Sequence, residues 1–159
     1  MPESYNIIFS SRGANVLNNT NLNAVSYTVN WGAYLPRKFK KFHCQFVFKS
    51  ENYAGILTNN GFVSLQGVIS NCYDGLSRTT NIGIIYPVAE TATTSFYNST
   101  NNDNNDFYIN YPENNVITII LNTFAGASMA NMPHYALIMN LEGVPDEDLK
   151  IDNTPMNIG

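Results

Sequence analysis

Strict alternation of side-chain character is the feature that most restricts what this chain can fold into. It is clearest in residues 41–49, where Phe42, Cys44, Phe46 and Phe48 occupy every second position and mostly polar residues fill the others. A period of two places those four side chains on one face of a β-strand. Burial of the three aromatic rings would contribute about 1.5–3 kcal/mol per ring. The segment therefore predicts a strand with one face in a hydrophobic core.

The same period recurs along the chain, and no segment shows a sustained apolar period near the helical repeat. Turn-forming residues separate the alternating segments, which predict strands over residues 5–10, 24–31, 41–49, 61–69, 82–86, 95–98, 106–111, 116–121 and 134–144. Residues 11–23 and 125–133 are expected to be loops, and Pro87 is expected to end a strand. These strands predict an all-β fold, which we expect to be a single jelly-roll sandwich of about eight antiparallel strands. An up-and-down barrel would have connections of more even length, whereas the loops here vary widely in length.

The predicted strands divide the chain into one domain and a tail. At 159 residues the length suits a single domain, and residues 1–144 are expected to form the jelly roll. Residues 145–159 contain two prolines and an acidic run, Asp146, Glu147 and Asp148. We expect this segment to be an extended tail that becomes ordered only on assembly with other copies.

The composition favours contacts with proteins over contacts with nucleic acid or membrane. Charged residues make up only 13% of the chain, and asparagine fills about one position in six. Amides cost less to desolvate than charges, which suits an interface, although a codon bias would produce the same composition. The net charge of −4 argues against a dedicated nucleic-acid binder. We also expect no membrane span, no signal peptide, and cysteines that stay reduced in a cytoplasm.

No arrangement of residues typical of catalysis is recognisable. Neither of the two histidines, His43 and His134, belongs to a nucleophile motif. His43 and Cys44 are adjacent on a predicted strand, so they point to opposite faces and cannot share a metal ion. Asp103 and Asp106 could offer oxygen ligands to calcium, but such residues are equally good turn formers. We therefore expect a protein that is not an enzyme and that needs no cofactor.

A basic cluster precedes the clearest strand. Arg37, Lys38, Lys40 and Lys41 are half of the eight basic residues in the chain. Three interpretations are open: a solvated rim that discourages edge-to-edge pairing of the strand, a contact for an acidic protein partner, and a nucleic-acid surface. The acidic run of the tail in another copy is one such partner. The candidate contact residues are Arg37, Lys38, Lys40, Lys41, Asp103, Asp106, Asp146, Glu147 and Asp148, with the loops 98–106 and 125–132.

The order of several segments resembles a known family. The segments "YTVNWGAYLPRKFKKFHCQFVFKS", "GFVSLQG", "NIGIIYPV", "FYNSTNNDNNDFYINYPENNVITIILN" and "NMPHYALIMNLEGV" are similar to those of short jelly-roll proteins of nucleocytoplasmic large DNA viruses. Those proteins are minor capsid or penton-type components of icosahedral shells. The similarity runs from about residue 5 to residue 144, and its motifs are structural rather than catalytic.

The resemblance implies a non-enzymatic shell component that is made in the host cytoplasm and incorporated into the virion. It further implies a homo-oligomer, a pentamer or a trimer, in contact with a major capsid protein. It carries over no active-site residue. One alternative is a carbohydrate-binding module on the virion surface, with Trp31, Tyr97 or Tyr108 exposed as a sugar platform. A metal-dependent enzyme on a cupin-like barrel is the third hypothesis, and bound metal in the purified protein would identify it.

Overall fold

The computed structural model describes residues 3–18, 21–100 and 106–145, and nearly all of its regular structure is strand. A 3-10 turn (Ser11–Gly13) and a four-residue helix, α1 (Trp31–Tyr34), interrupt the strands. The twelve strands in these ranges are β1 (Ser4–Ser10), β2 (Asn15–Asn18), β3 (Asn21–Thr28), β4 (Lys41–Ser50), β5 (Gly61–Gln66), β6 (Tyr73–Asp74), β7 (Ser77–Arg78), β8 (Asn81–Ala89), β9 (Ser95–Ser99), β10 (Asp106–Asn110), β11 (Val116–Thr123) and β12 (Tyr135–Gly143).

Ten of these strands form two antiparallel layers joined into one curled sheet, and β6 and β7 form a separate two-stranded sheet. One layer has the order β1-β12-β4-β10, and the other has the order β3-β11-β5-β8, extended by β2 at the edge. The layers are joined through β8, which pairs with β5 along its first half and with β9 along its second half. In turn, β9 pairs with β4. The first strand, β1, pairs with the last, β12, as in a jelly roll. The expected all-β, jelly-roll-like fold is confirmed.

The alternation in β4 places its apolar face in the core. Phe42, Cys44, Phe46 and Phe48 are each at most 1% exposed, whereas the intervening side chains of β4 are partly or fully exposed. From the other layer, side chains of β3, β5, β8 and β11 belong to the same core cluster. The core contains aromatic contacts of offset geometry, such as the edge-on approach of Phe46 to Phe107 at 6.5 Å between centroids.

Four expected boundaries are wrong, and two of them lie in residues 11–23 and 61–69. Residues 11–23 are not a loop, because β2 and the start of β3 pair there as a hairpin. The pairing uses backbone N–H and carbonyl groups, which asparagine provides as well as any other residue except proline. The strand expected over residues 61–69 ends at Gln66. Gly67 follows at a φ of 102°, a left-handed conformation that breaks the extended chain. Ile69, expected on the core face, is consequently exposed.

Pro87 does not end its strand, contrary to expectation. It lies in the second half of β8, where the backbone register pairs it with Tyr97 of β9 and the pairing with β5 has already stopped. A proline lacks an N–H group, so it is tolerated where only one side of a strand has a partner. The strand expected over residues 24–31 also differs, because it stops at Thr28 and Trp31 begins α1.

The tyrosines of β3 and β12 give a matched test of hydrogen bonding in the core. Within the described residues the buried hydroxyl of Tyr27 has no hydrogen-bond partner, and burial raises the pKa of Tyr27 to about 12. The hydroxyl of Tyr135 donates to the carbonyl of Leu22 at 3.0 Å. We expect Tyr27→Phe to leave the free energy of unfolding unchanged or to raise it by up to about 1 kcal/mol, since no bond is lost.

Tyr135→Phe is the control for that substitution, because it removes the same atom together with a bond. We expect it to lower the free energy of unfolding by about 1 kcal/mol. Urea denaturation followed by fluorescence measures both variants. A loss from Tyr27→Phe as large as that from Tyr135→Phe would contradict the assignment of the Tyr27 hydroxyl as unpaired.

Candidate functional site

Two surfaces of the molecule combine residues in ways that suit contacts with another macromolecule. The first, called the basic end here, comprises Arg37, Lys38, Lys40 and Lys41. The first three lie in the connection from α1 to β4, and Lys41 is the first residue of β4. The second, called the outer strip, comprises Ile8, Ile138 and Val47 on the outward face of β1, β12 and β4.

The backbone brings both ends of the described domain to the basic end. The N–H of Gly143 donates to the carbonyl of Glu3 at 2.9 Å, and the N–H of Val144 donates to the carbonyl of Lys41 at 3.0 Å. The ring of Phe39 fills the space over Gly143, where a Cβ atom would come within 2.6 Å of the ring carbons. The basic connection is therefore held against the start of β1 and the end of β12.

The four basic side chains have different surroundings. The ammonium of Lys38 lies 2.5 Å from a carboxylate oxygen of Glu3, and this hydrogen bond is the main reason that the pKa of Glu3 is lowered. The guanidinium of Arg37 lies over the Tyr111 ring at 5.2 Å. Lys41 approaches the ring of Tyr108 at 5.6 Å. Glu3, in the N-terminal segment of the same chain, thus already neutralises one of the four cations.

A groove separates the basic connection from the end of β10. It has a volume of about 450 Å³ and is lined by Arg37, Phe39, Lys40, Asn110, Tyr111 and Glu113. Tyr111 is fixed there by two bonds, since its N–H donates to the Lys40 carbonyl at 2.9 Å and its hydroxyl donates to the Leu35 carbonyl at 2.9 Å. The groove is lined by two cations, Arg37 and Lys40, and by a single carboxylate, Glu113.

Asp106 pairs with a histidine, which the sequence did not predict. Its carboxylate lies 2.7 Å from Nε2 of His43, and the ring of Tyr108 lies 5.0 Å from the His43 ring. These three side chains meet because β10 pairs with the first half of β4. In the described ranges no group of three or more His, Cys, Asp or Glu side chains could hold a metal ion. Asp103, Asp146, Glu147 and Asp148 lie outside the described residues.

The cysteines are free and poorly suited to act as nucleophiles. Cys44 is fully buried on the core face of β4, while His43 points outward, as expected for adjacent strand residues. Burial is the main cause that raises the pKa of the Cys44 thiol, and burial also raises the pKa of Cys72. A thiol with a raised pKa remains protonated at neutral pH and reacts slowly.

The outer strip is an apolar patch on the outward face of a sheet. Ile8 and Ile138 are directly opposite in register and are 64% and 37% exposed, and Val47 is opposite Ile138 on the next strand. The outward neighbours nearest to the strip are Asn6, Gln45, Ala136 and Asn140, which are uncharged, and Lys49, which lies two residues beyond Val47. Asn140 donates to Asn6 and to the hydroxyl of Ser4, so these amides are partly satisfied within the sheet.

Of the three aromatic residues expected to form a sugar platform, two are buried. Trp31 is 4% exposed and donates from Nε1 to the carbonyl of Asn114 at 2.9 Å, and Tyr97 is 2% exposed. Tyr108 alone remains accessible, at 37%. The expected exposure of Trp31 and Tyr97 is therefore wrong, because both belong to the hydrophobic core.

Among the helical residues that the structure describes, none forms a segment long and apolar enough to cross a bilayer. The chain matched no protein-family model, and a search of curated proteins found no significantly similar sequence.

Proposed function

We propose that this chain is a structural component of an icosahedral viral capsid, of the minor capsid or penton type, that acts through protein–protein contacts. The observation that carries the proposal is the outer strip, where Ile8 and Ile138 lie side by side on an outward sheet face. Exposed apolar side chains that are contiguous, rather than scattered singly, mark surfaces that another molecule covers.

The surroundings of the strip support a protein as that molecule. The middle of the outward face of β1, β12 and β4 carries amides and aliphatic groups, and its charged side chains, such as Lys49 and Glu142, lie toward the strand ends. An interface centre is typically depleted of charge and surrounded by a polar rim.

The jelly-roll-like fold and the sequence resemblance support the capsid assignment. In this proposal the two layers form a rigid unit, while its outward faces and loops make contacts with neighbours. The partners are other copies of the chain, in a pentamer or a trimer, and a major capsid protein. Assembly takes place in the host cytoplasm, and the final location is the virion.

Determination of the mass of the purified full chain in solution tests the proposal. Native mass spectrometry and sedimentation velocity at micromolar concentration are expected to show a closed ring of five or three copies. A chain that stays monomeric up to about 100 µM, a concentration at which even weak specific contacts form, would contradict the proposal of a homo-oligomeric shell component.

A further inference from the structure

The basic end carries positive charge that the described part of the chain does not neutralise. Lys38 is paired with Glu3, but in residues 3–18, 21–100 and 106–145 no carboxylate lies within ion-pair distance of Arg37, Lys40 or Lys41. Arg37 is held over Tyr111, so its guanidinium is already positioned at the groove. A surface of this kind suits an acidic ligand.

The described part of the chain ends at this surface, and an acidic segment follows it in the sequence. Val144 is hydrogen-bonded to the backbone of Lys41, and the residues that follow Pro145 in the sequence are Asp146, Glu147 and Asp148. An extended chain advances at most about 3.6 Å per residue, so Asp148 lies within roughly 14 Å of Val144 along the backbone. All three carboxylates are therefore within reach of the basic end of the same copy.

We propose that Asp146, Glu147 and Asp148 bind the basic end of their own chain, beside Arg37 and Lys40 of the groove. A tether of only a few residues gives the acidic segment an effective concentration in the millimolar range, which a tail from another copy does not match in dilute solution. The contact between Lys38 and Glu3 is of the same kind, because there too a terminal segment of the chain brings a carboxylate to this surface.

The single carboxylate of the groove limits where the segment can bind. Glu113 lines the groove and its carboxylate repels an acidic segment, so the proposed contact is with Arg37, Lys40 and Lys41. The contact consists of ion pairs near the surface, so salt screens it. This inference does not depend on the proposed capsid function, because it concerns a contact within one copy. It differs from the expectation that the tail becomes ordered only on assembly, and the two are distinguished by whether binding of the segment depends on protein concentration.

Trypsin cleavage after Lys150 reports whether the acidic segment is bound. Lys150 lies two positions beyond Asp148, so binding of the segment restricts access of the protease to that bond. The substitution Lys40→Gln with Lys41→Gln weakens the surface without changing the sequence around the scissile bond. We expect the full-length double variant to lose residues 151–159 roughly three to ten times faster than the wild type, as measured by mass spectrometry.

Lys49→Gln is the matched control, because Lys49 is an exposed lysine at the opposite end of the same strand. Its cleavage rate is expected to stay within about twofold of the wild type, and wild-type protection is expected to be lost near 1 M salt. Equal rates for the double variant and the wild type would overturn the proposal. Protection that increases with protein concentration would overturn it as well, since the segment would then bind a neighbouring copy.

A second measurement covers the case in which the protease cannot reach Lys150 for another reason. Substitution of the three acidic residues (Asp146→Asn, Glu147→Gln and Asp148→Asn) is expected to shift the NMR signals of the Arg37 side chain and of the Lys40 and Lys41 amides. Signals of Lys49 and its neighbours are expected to stay in place. Unchanged signals at the basic end would show that the segment does not bind there.

Discussion

Replacement of Phe46 by alanine is expected to lower the free energy of unfolding by about 3–5 kcal/mol. The ring is 1% exposed in the middle of β4, contacts the edge of Phe107 and lies on the face that fills the core between the layers. Removal of the ring leaves a cavity that the rigid sheets on either side can close only in part. Domains of this kind have a total stability of about 5–15 kcal/mol, so the loss is a large fraction.

Urea denaturation followed by circular dichroism and by fluorescence gives the measurement. Phe124→Ala is the control, because that ring is 52% exposed and packs against the partly exposed ring of Phe62. We expect the control to cost less than about 1.5 kcal/mol. A loss from Phe46→Ala no greater than that of the control would mean that the β4 aromatic face is not the centre of the core.

Simultaneous replacement of Ile8 and Ile138 by aspartate is expected to weaken association of the purified chain by at least about 100-fold, or about 2.7 kcal/mol. Both side chains point outward on paired strands, so the folded domain tolerates the charges. In an interface the two carboxylates would be buried without partners, which is costly. Sedimentation velocity over a range of concentrations measures the change, and thermal unfolding shows whether the domain remains folded.

Leu76→Asp is the control for that substitution. Leu76 is fully exposed at the tip of the small hairpin of β6 and β7, which forms a sheet separate from the one that carries the outer strip. We expect this variant to associate within about threefold of the wild type. If Ile138→Ala alone leaves association unchanged and the double aspartate variant also assembles normally, the outer strip is not an interface.

The parts of the fold that the sequence predicted correctly are those decided by local patterns. The face of β4 that is buried follows from alternation within ten residues, and the burial of Phe42, Phe46 and Phe48 followed from it. The β6–β7 hairpin turns at Asp74 and Gly75, a pair of residues typical of tight turns. Asparagine misled the prediction between β1 and β3, because its preference for turns does not prevent backbone pairing at a sheet edge.

The surfaces proposed for function depend on pairing between distant segments, which one sequence does not reveal. Ile8 and Ile138 become neighbours only because the first and last strands pair in a particular register. Asp106 reaches His43 for the same reason, through the pairing of β10 with β4. The cluster of four basic residues was recognisable in the sequence. The backbone hydrogen bond that joins Val144 to Lys41 of that cluster was not.

An electron cryomicroscopy map of the assembled protein tests the central claim most directly. The claim is that the outward face of β1, β12 and β4 serves as an interface in a protein shell. The account predicts that Ile8 and Ile138 lie against a neighbouring chain and are shielded from solvent in the assembly. A map of an assembly in which both side chains face open solvent would contradict it.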